Sequence, residues 1–185
     1  MPNPAKKKYL PKAALIKRLA SITALILDVD GVLTDDHIFA GPDGLELKQF
    51  HIGDGLTIVL AMRAGLEIII MSNRPSEATT TRMNDLRVKH VIQISGSKDR
   101  LVQEYIDQKG LPIRLEEAAF IGNDIMDIPL MRRVGLKICV NDAYDELKGM
   151  VDYVTVKKGG SGAVREILEM YFTGKGLKPS NFLKT

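Results

Sequence analysis

The sequence predicts an α/β fold, a doubly wound parallel sheet flanked by helices, with a small β-hairpin inserted near its start. Two observations predict it. From residue 25 to 172, apolar runs of strand length alternate with stretches of helical spacing, the pattern of βα units whose strands are covered on both faces. Polar, turn-forming residues follow directly on several of those runs, and in such sheets ligands gather at the carboxyl ends of the strands. A chain of 185 residues suffices for one good core with a small insertion. With 45% hydrophobic and 26% charged residues it is not a disordered chain.

Taken in order, the start has a short basic run, Lys6 to Lys8, read as a frayed tail. Residues 13–22 then have the spacing of a short amphipathic helix, so residues 1–21 are read as an extension ahead of the main domain. Residues 25–35, LILDVDGVLTD, form a buried strand that breaks into polar residues. Residues 36–50 hold two short alternating runs around Gly-Pro-Asp-Gly, a strong turn signal, and predict a hairpin. A helix ended by Gly65, a strand over 66–71 and a helix over 77–87 follow. Next come a strand over 89–94, a helix opening at 96–101 with Ser97 as candidate cap, and a strand over 118–121. The alternation closes with a strand over 136–140, a helix over 143–149, a short strand over 153–156 and a helix over 163–172. The main domain is thus 22–173, and 174–185 is read as a mobile tail.

The candidate chemistry sits at the strand ends. Asp28 and Asp30 are two residues apart on a strand, so their carboxylates emerge together. Their repulsion is on the order of 4 kcal/mol at 4 Å and intermediate dielectric, which calls for a cation, a shared proton or both. Magnesium, which takes hard oxygen ligands, is the natural candidate. Ser72, at a strand tip before a helix, is placed to hold a phosphate oxygen, although a serine there by itself is more often a helix cap. The Gly-rich stretch at 159–162 precedes a helix and is either an anion cradle or a linker.

The string Asp-Val-Asp-Gly-Val-Leu-Thr from Asp28 to Thr34 resembles the first motif of the haloacid dehalogenase-like phosphotransferases. The resemblance implies a three-layer Rossmann-like domain in which Asp28 is the nucleophile and Asp30 the acid/base, a role for which Asp30 must start neutral. Ser72 matches the second motif. For the third, a cation, Arg100 stands where a lysine is expected and Lys98 is the alternative. Residues 122–127, Gly-Asn-Asp-Ile-Met-Asp, resemble the fourth, which implies a magnesium site of Asp28, the Asp30 carbonyl and Asn123, the last an amide where a carboxylate is usual. The hairpin, the phrase Phe50-His51-Ile52-Gly53-Asp54-Gly55, the Gly-Asn-Asp-x-x-Asp motif and the ending Gly-Gly-Ser-Gly-Ala-Val-Arg-Glu together look like the 3-deoxy-D-manno-octulosonate 8-phosphate phosphatases and their nonulosonate 9-phosphate relatives. That family implies a homotetramer in which hairpin and tail cover a neighbour's site. It also implies substrate contacts at His51, Ile52, Gly53, Asp54, Gly55, Arg74, Arg82 and Asp124.

The net charge of +3, spread along the chain without aromatic interleaving, does not point to nucleic acid. No segment is long and apolar enough for a membrane span, the start lacks the features of a secretory signal, and the single cysteine, Cys139, rules out an internal disulfide. The cytoplasm is the expected compartment. The competing readings are a weakly active or silent scaffold of the same fold, favoured by Arg100, Asn123 and Gly53, and a receiver-like phosphoacceptor, opposed by the first motif.

Overall fold

The computed structural model describes residues 9–183, so the expectation for Lys6 to Lys8 lies outside the described residues. Among these, the main sheet has six strands, β1 (Ala24–Leu27), β4 (Glu67–Ser72), β5 (His90–Gln93), β6 (Ala118–Gly122), β7 (Leu136–Cys139) and β8 (Tyr153–Val154). Their spatial order is β5-β4-β1-β6-β7-β8 and every pairing is parallel. β1 is buried along its whole length between β4 and β6. That is why its sequence runs apolar rather than alternating. The chain first winds outward from β1 to β5 and then returns to the other side through β6, so the switch point lies between β1 and β6. There a crevice opens at the strand ends.

The helices cover both faces. On one side α1 (Lys12–Leu19) and α2 (Ile52–Arg63) pack on the final helix α7 (Ala163–Lys175); on the other α4 (Lys98–Lys109) meets the short α5 (Ile128–Met131). The expected short helix is present as α1, and its Leu15 and Leu19 are buried in the common core. The stretch expected as a tail begins inside a helix. The α7 helix continues through Gly174, where a Cβ would crowd the Ile16 carbonyl and Ala20, so this glycine lets α1 and α7 meet. Beyond it a 3-10 turn, Pro179–Phe182, places Phe182 5.9 Å from Phe172, and Arg63 donates to the Phe182 carbonyl at 2.9 Å.

The hairpin is present as β2 (Phe39–Ala40) and β3 (Glu46–Leu47), antiparallel, around a 3-10 turn at Pro42–Gly44. Each of its strands is two residues long. Helix α3 (Glu77–Asp85) ends before the predicted 87, and α6 (Asp145–Lys148) is a single turn. Among the described residues no helix is long and apolar enough to cross a membrane.

Candidate active site

The register of β1 sets the geometry. Leu27 pairs with Ile70 on one side and Ile121 on the other, so Asp28, Ser72 and Asn123 leave the sheet close together. The Asp28 amide donates to the Ile121 carbonyl at 3.1 Å, a last rung before the chain turns away. The loop after it curls on itself: Val32, Leu33 and Thr34 all donate to the Val29 carbonyl, and the buried Thr34 hydroxyl accepts from the Gly31 amide at 3.2 Å. Gly31 has φ +75°, and a Cβ there would overlap the Asn123 side chain. A glycine is needed on both counts.

The Gly-rich loop proves to be a buttress. A Cβ on Gly159 would overlap the Gly31 carbonyl, and the Gly160 amide donates to the Val32 carbonyl at 3.0 Å. Its glycines are used for close backbone approach to the Asp28 loop, not to cradle an anion.

Of the two candidates on α4, Lys98 is the cation that meets Asp28. It opens α4, is only 3% exposed, and places Nζ 2.7 Å from Asp28 Oδ2 and 2.6 Å from Asp127 Oδ1. Arg100, the residue expected from the motif, is exposed on the same helix and is corrected out of the site. The reason is helical: two residues on is about 200° around the axis, so Lys98 and Arg100 face opposite ways. Ser97 does not cap through its side chain; its hydroxyl donates to Asp99 instead.

Asp127, fully buried, organises the fourth strand end. Its Oδ2 accepts from the amides of Asn123 at 2.8 Å and Asp124 at 3.0 Å, while Asp124 accepts from Met126, a reciprocal capping box. Burial and the Asp127 charge push the Asp28 pKa up to about 7, against the pull of Lys98 and the Val29 amide, which donates to Oδ1 at 2.8 Å. Lys98 goes the other way from its own burial: the two carboxylates hold its pKa above the ordinary value. At the mouth, burial together with Asp30 and Asp124 raises Asp36.

Asp30 meets a cation where a carboxylate neighbour was expected. Its Oδ1 lies 2.7 Å from Nζ of Lys48, a hairpin residue. Sequence reasoning missed both Lys48 and the pivotal place of Asp127. The available signals were the alternation that puts Glu46 and Lys48 on one side of a strand, and the i, i+3 spacing of Asp124 and Asp127.

The cleft, about 150 Å³, brings together Asp28, Asp30, Ser72, Arg74, Lys98, Asn123 and Asp124, with Asp36, Asn73 and Met126 at its edge. Ser72 is buried, and its hydroxyl both donates to and accepts from the backbone of Arg74 at 3.1 Å. His51, Ile52, Gly53, Asp54, Gly55 and Arg82 do not line this cleft within one chain. His51 caps α2 by accepting from the Asp54 amide, Asp54 is buried and accepts from the Arg165 amide at the start of α7, and Ile52 is 82% exposed. Arg82 lies against Gly55 and pairs with Asp85 at 2.8 Å.

For a cation the fit is favourable. The Asn123 Oδ1 is buried without a hydrogen-bond partner, and Asn123 lines the cleft together with Asp28, Asp30 and Asp124. Among the described residues no three His, Cys, Asp or Glu side chains form a metal cluster. The set suggested by sequence has one carboxylate, one carbonyl and one amide, all oxygens, which suits magnesium rather than a transition metal.

Comparison with known proteins gives consistent relatives. Residues 90–168 match the model of the haloacid dehalogenase-like hydrolases. The chain is 37% identical over 169 residues to the 3-deoxy-D-manno-octulosonate 8-phosphate phosphatase KdsC of Escherichia coli strain K12, covering 91% of this chain and 89% of that one. Its Yersinia pestis counterpart is 38% identical over 156 residues, 84% and 82% of the two chains. Among solved structures, the phosphatase of the same name from Moraxella catarrhalis, in complex with magnesium, phosphate and KDO, superposes with a TM-score of 0.82 at 30% identity, covering 88% of this chain and 92% of that one. The cobalt-bound form of the Haemophilus influenzae enzyme also gives 0.82, at 34% identity and 90% and 96% coverage.

Proposed function

Since the chain belongs to the 3-deoxy-D-manno-octulosonate 8-phosphate phosphatase family of haloacid dehalogenase-like hydrolases, we propose that it hydrolyses the phosphomonoester of a 2-keto-3-deoxy sugar acid, KDO 8-phosphate or a related nonulosonate 9-phosphate, through an aspartyl-phosphate. The observation that carries this reading is the Asp28–Lys98–Asp127 bridge at the end of β1. An ammonium held between two buried carboxylates keeps one of them, Asp28, available as an oxygen nucleophile beside a site for anions.

In the first step an Asp28 oxygen forms a bond to phosphorus while the ester P–O bond breaks, and Asp30 gives its proton to the leaving oxygen. In the second, Asp30 takes a proton from the water that attacks the aspartyl-phosphate, releasing phosphate and restoring Asp28. Lys98 and the Ser72 hydroxyl, both on the cleft, bind the non-bridging oxygens as their charge is redistributed. Asp28, the Asp30 carbonyl and Asn123 would hold magnesium, which when bound offsets the charge of a dianionic phosphate. Arg74 and Asp124 stand at the mouth for the sugar acid.

Assembly is part of the proposal. Phe39, Leu45 and Leu47 of the hairpin and Ile52 and Leu56 of α2 are exposed, an apolar surface that a homotetramer would bury. In that assembly His51 to Gly55 and Arg82 act at or beside a neighbour's cleft. The function is tested by phosphate release from a panel of sugar phosphates with and without magnesium. Turnover of KDO 8-phosphate or a nonulosonate 9-phosphate well above that of hexose phosphates is expected; a folded protein inactive on every member of the panel would leave the scaffold reading in its place.

A further inference from the structure

The hairpin does more than overhang the cleft. Glu46 and Lys48 are two residues apart and turn the same way, inward, while Leu45 and Leu47 turn to solvent. The Lys48 side chain is wholly buried, 0% exposed, although it belongs neither to the sheet nor to the apolar core. Three oxygens surround its ammonium: Asp30 Oδ1 at 2.7 Å, the Thr79 hydroxyl at 3.4 Å and Glu46 Oε1 at 3.6 Å. At 2.7 and 3.4 Å the first two are within hydrogen-bond reach, and Glu46 adds a longer ion pair. Glu46 is itself anchored, accepting from the Ser76 hydroxyl at 2.8 Å and pairing with Arg74.

From this cage we propose that Lys48 is a positioning residue for Asp30. By engaging Oδ1 it fixes the rotation of the carboxyl group and leaves Oδ2 as the oxygen that passes the proton to the leaving group. Because Lys48 rides on the hairpin, and the hairpin is pinned through Glu46 to the loop after β4, the proton donor is correctly aimed only when the hairpin is docked. A displacement of about 1 Å in a reacting group is enough to cost a large part of its contribution.

The inference rests on the reading of Asp30 as the general acid, and the test separates the two. The values of kcat/KM are compared for an alkyl phosphate, whose alkoxide leaves only with a proton, and for 4-nitrophenyl phosphate, whose phenolate leaves without one. This ratio reports steps up to departure of the alcohol and excludes hydrolysis of the aspartyl-phosphate. Lys48→Met should lose about tenfold or more on the alkyl phosphate and less than about threefold on the aryl one, a fraction of what a general acid supplies. Asp30→Asn, measured beside it, should show the same selectivity more strongly. If Asp30→Asn is selective while Lys48→Met slows both substrates alike, or slows neither, Lys48 only anchors the hairpin and the proposal falls. If Asp30→Asn itself shows no selectivity, the general-acid reading falls first. Should Lys48→Met not fold, Lys48→Gln keeps a donor of similar reach without the charge and is judged by the same two ratios.

Discussion

Replacing Asp28 by asparagine should silence the enzyme and, in the absence of metal, make it more stable at neutral pH. The magnitude follows from burial. Asp28 is 6% exposed, and its pKa rises from 3.8 to about 7 because desolvation and Asp127 outweigh Lys98 and the Val29 amide. About three units of difference between folded and unfolded chains correspond to a ceiling of about 4 kcal/mol against the ionised form. Asparagine forfeits part of the bond to Lys98, which keeps Asp127 at 2.6 Å. Half of the ceiling, about 2 kcal/mol, is a reasonable expectation, or about 4–8 °C in Tm for a chain of this size.

The sign is fixed by linkage. Below about pH 4 both states carry the proton and Asp28 imposes no penalty; as pH rises towards about 7 only the unfolded chain has released it, so native stability is lost through that window. Thermal melts of both proteins with a chelator, at about pH 5 and about pH 8, measure the difference. The gap in favour of Asp28→Asn should widen with pH. A variant less stable than the parent at the higher pH, or a gap that does not change, would refute the reasoning. Magnesium should raise the Tm of the parent far more than that of the variant.

Asn123→Asp should lower the magnesium concentration needed for half-maximal activity, by on the order of 1 to 3 kcal/mol in binding, as read by titration of phosphate release. Lys98→Met, which leaves two buried carboxylates unpaired, should cost about 3 kcal/mol or more in urea melts and abolish turnover, whereas Arg100→Ala should leave kcat within about threefold of the parent. Deleting residues 174–185 should destabilise the fold, as read by a lower Tm in thermal melts, because the end of α7 and the Phe182 contact go with it. Sedimentation at micromolar concentration should give a tetramer, and a fully active monomer would rule out the shared-lid reading.

Much of this architecture was legible in sequence because its signals are local. The alternation of buried runs with helices placed every strand of the main sheet, and Gly-Pro-Asp-Gly placed the hairpin turn. The first motif singled out Asp28 and Asp30, and both line the cleft, but not as residues of one strand: β1 ends at Leu27 and Asp30 lies in the turn that follows. What sequence could not resolve was long-range. Lys98 and Arg100 differ by two positions, and only the docking of α4 decides which one meets Asp28. Lys48 reaches Asp30 across 18 positions through a hairpin whose docking angle no local pattern encodes. No local pattern in 174–185 announces that Gly174 lies inside α7 and serves close packing against α1. The contacts implied for His51 to Gly55 and Arg82 belong to a different surface from the cleft of their own chain, and a motif carries no information about which copy it serves.

The charges already gathered around the cleft give a physical reason for an amide at position 123. Asp28, Asp30, Asp36 and Asp124 line it and Asp127 lies beneath, against Lys98, Lys48 and Arg74. This surplus of anions is felt in the structure: Asp28 and Asp36 are both raised, each by burial first and then by neighbouring carboxylates. A further carboxylate at 123 would stand beside the nucleophile and raise the cost of ionising it again. An amide oxygen offers a ligand without that cost, and the unpartnered Asn123 Oδ1 is such an oxygen. The same substitution therefore acts in two directions, tightening the metal and burdening Asp28, and the departures from the expected motif are compatible with a working phosphatase: Lys98 supplies the cation that Arg100 does not, and Asn123 gives up metal affinity in a site that is already rich in negative charge.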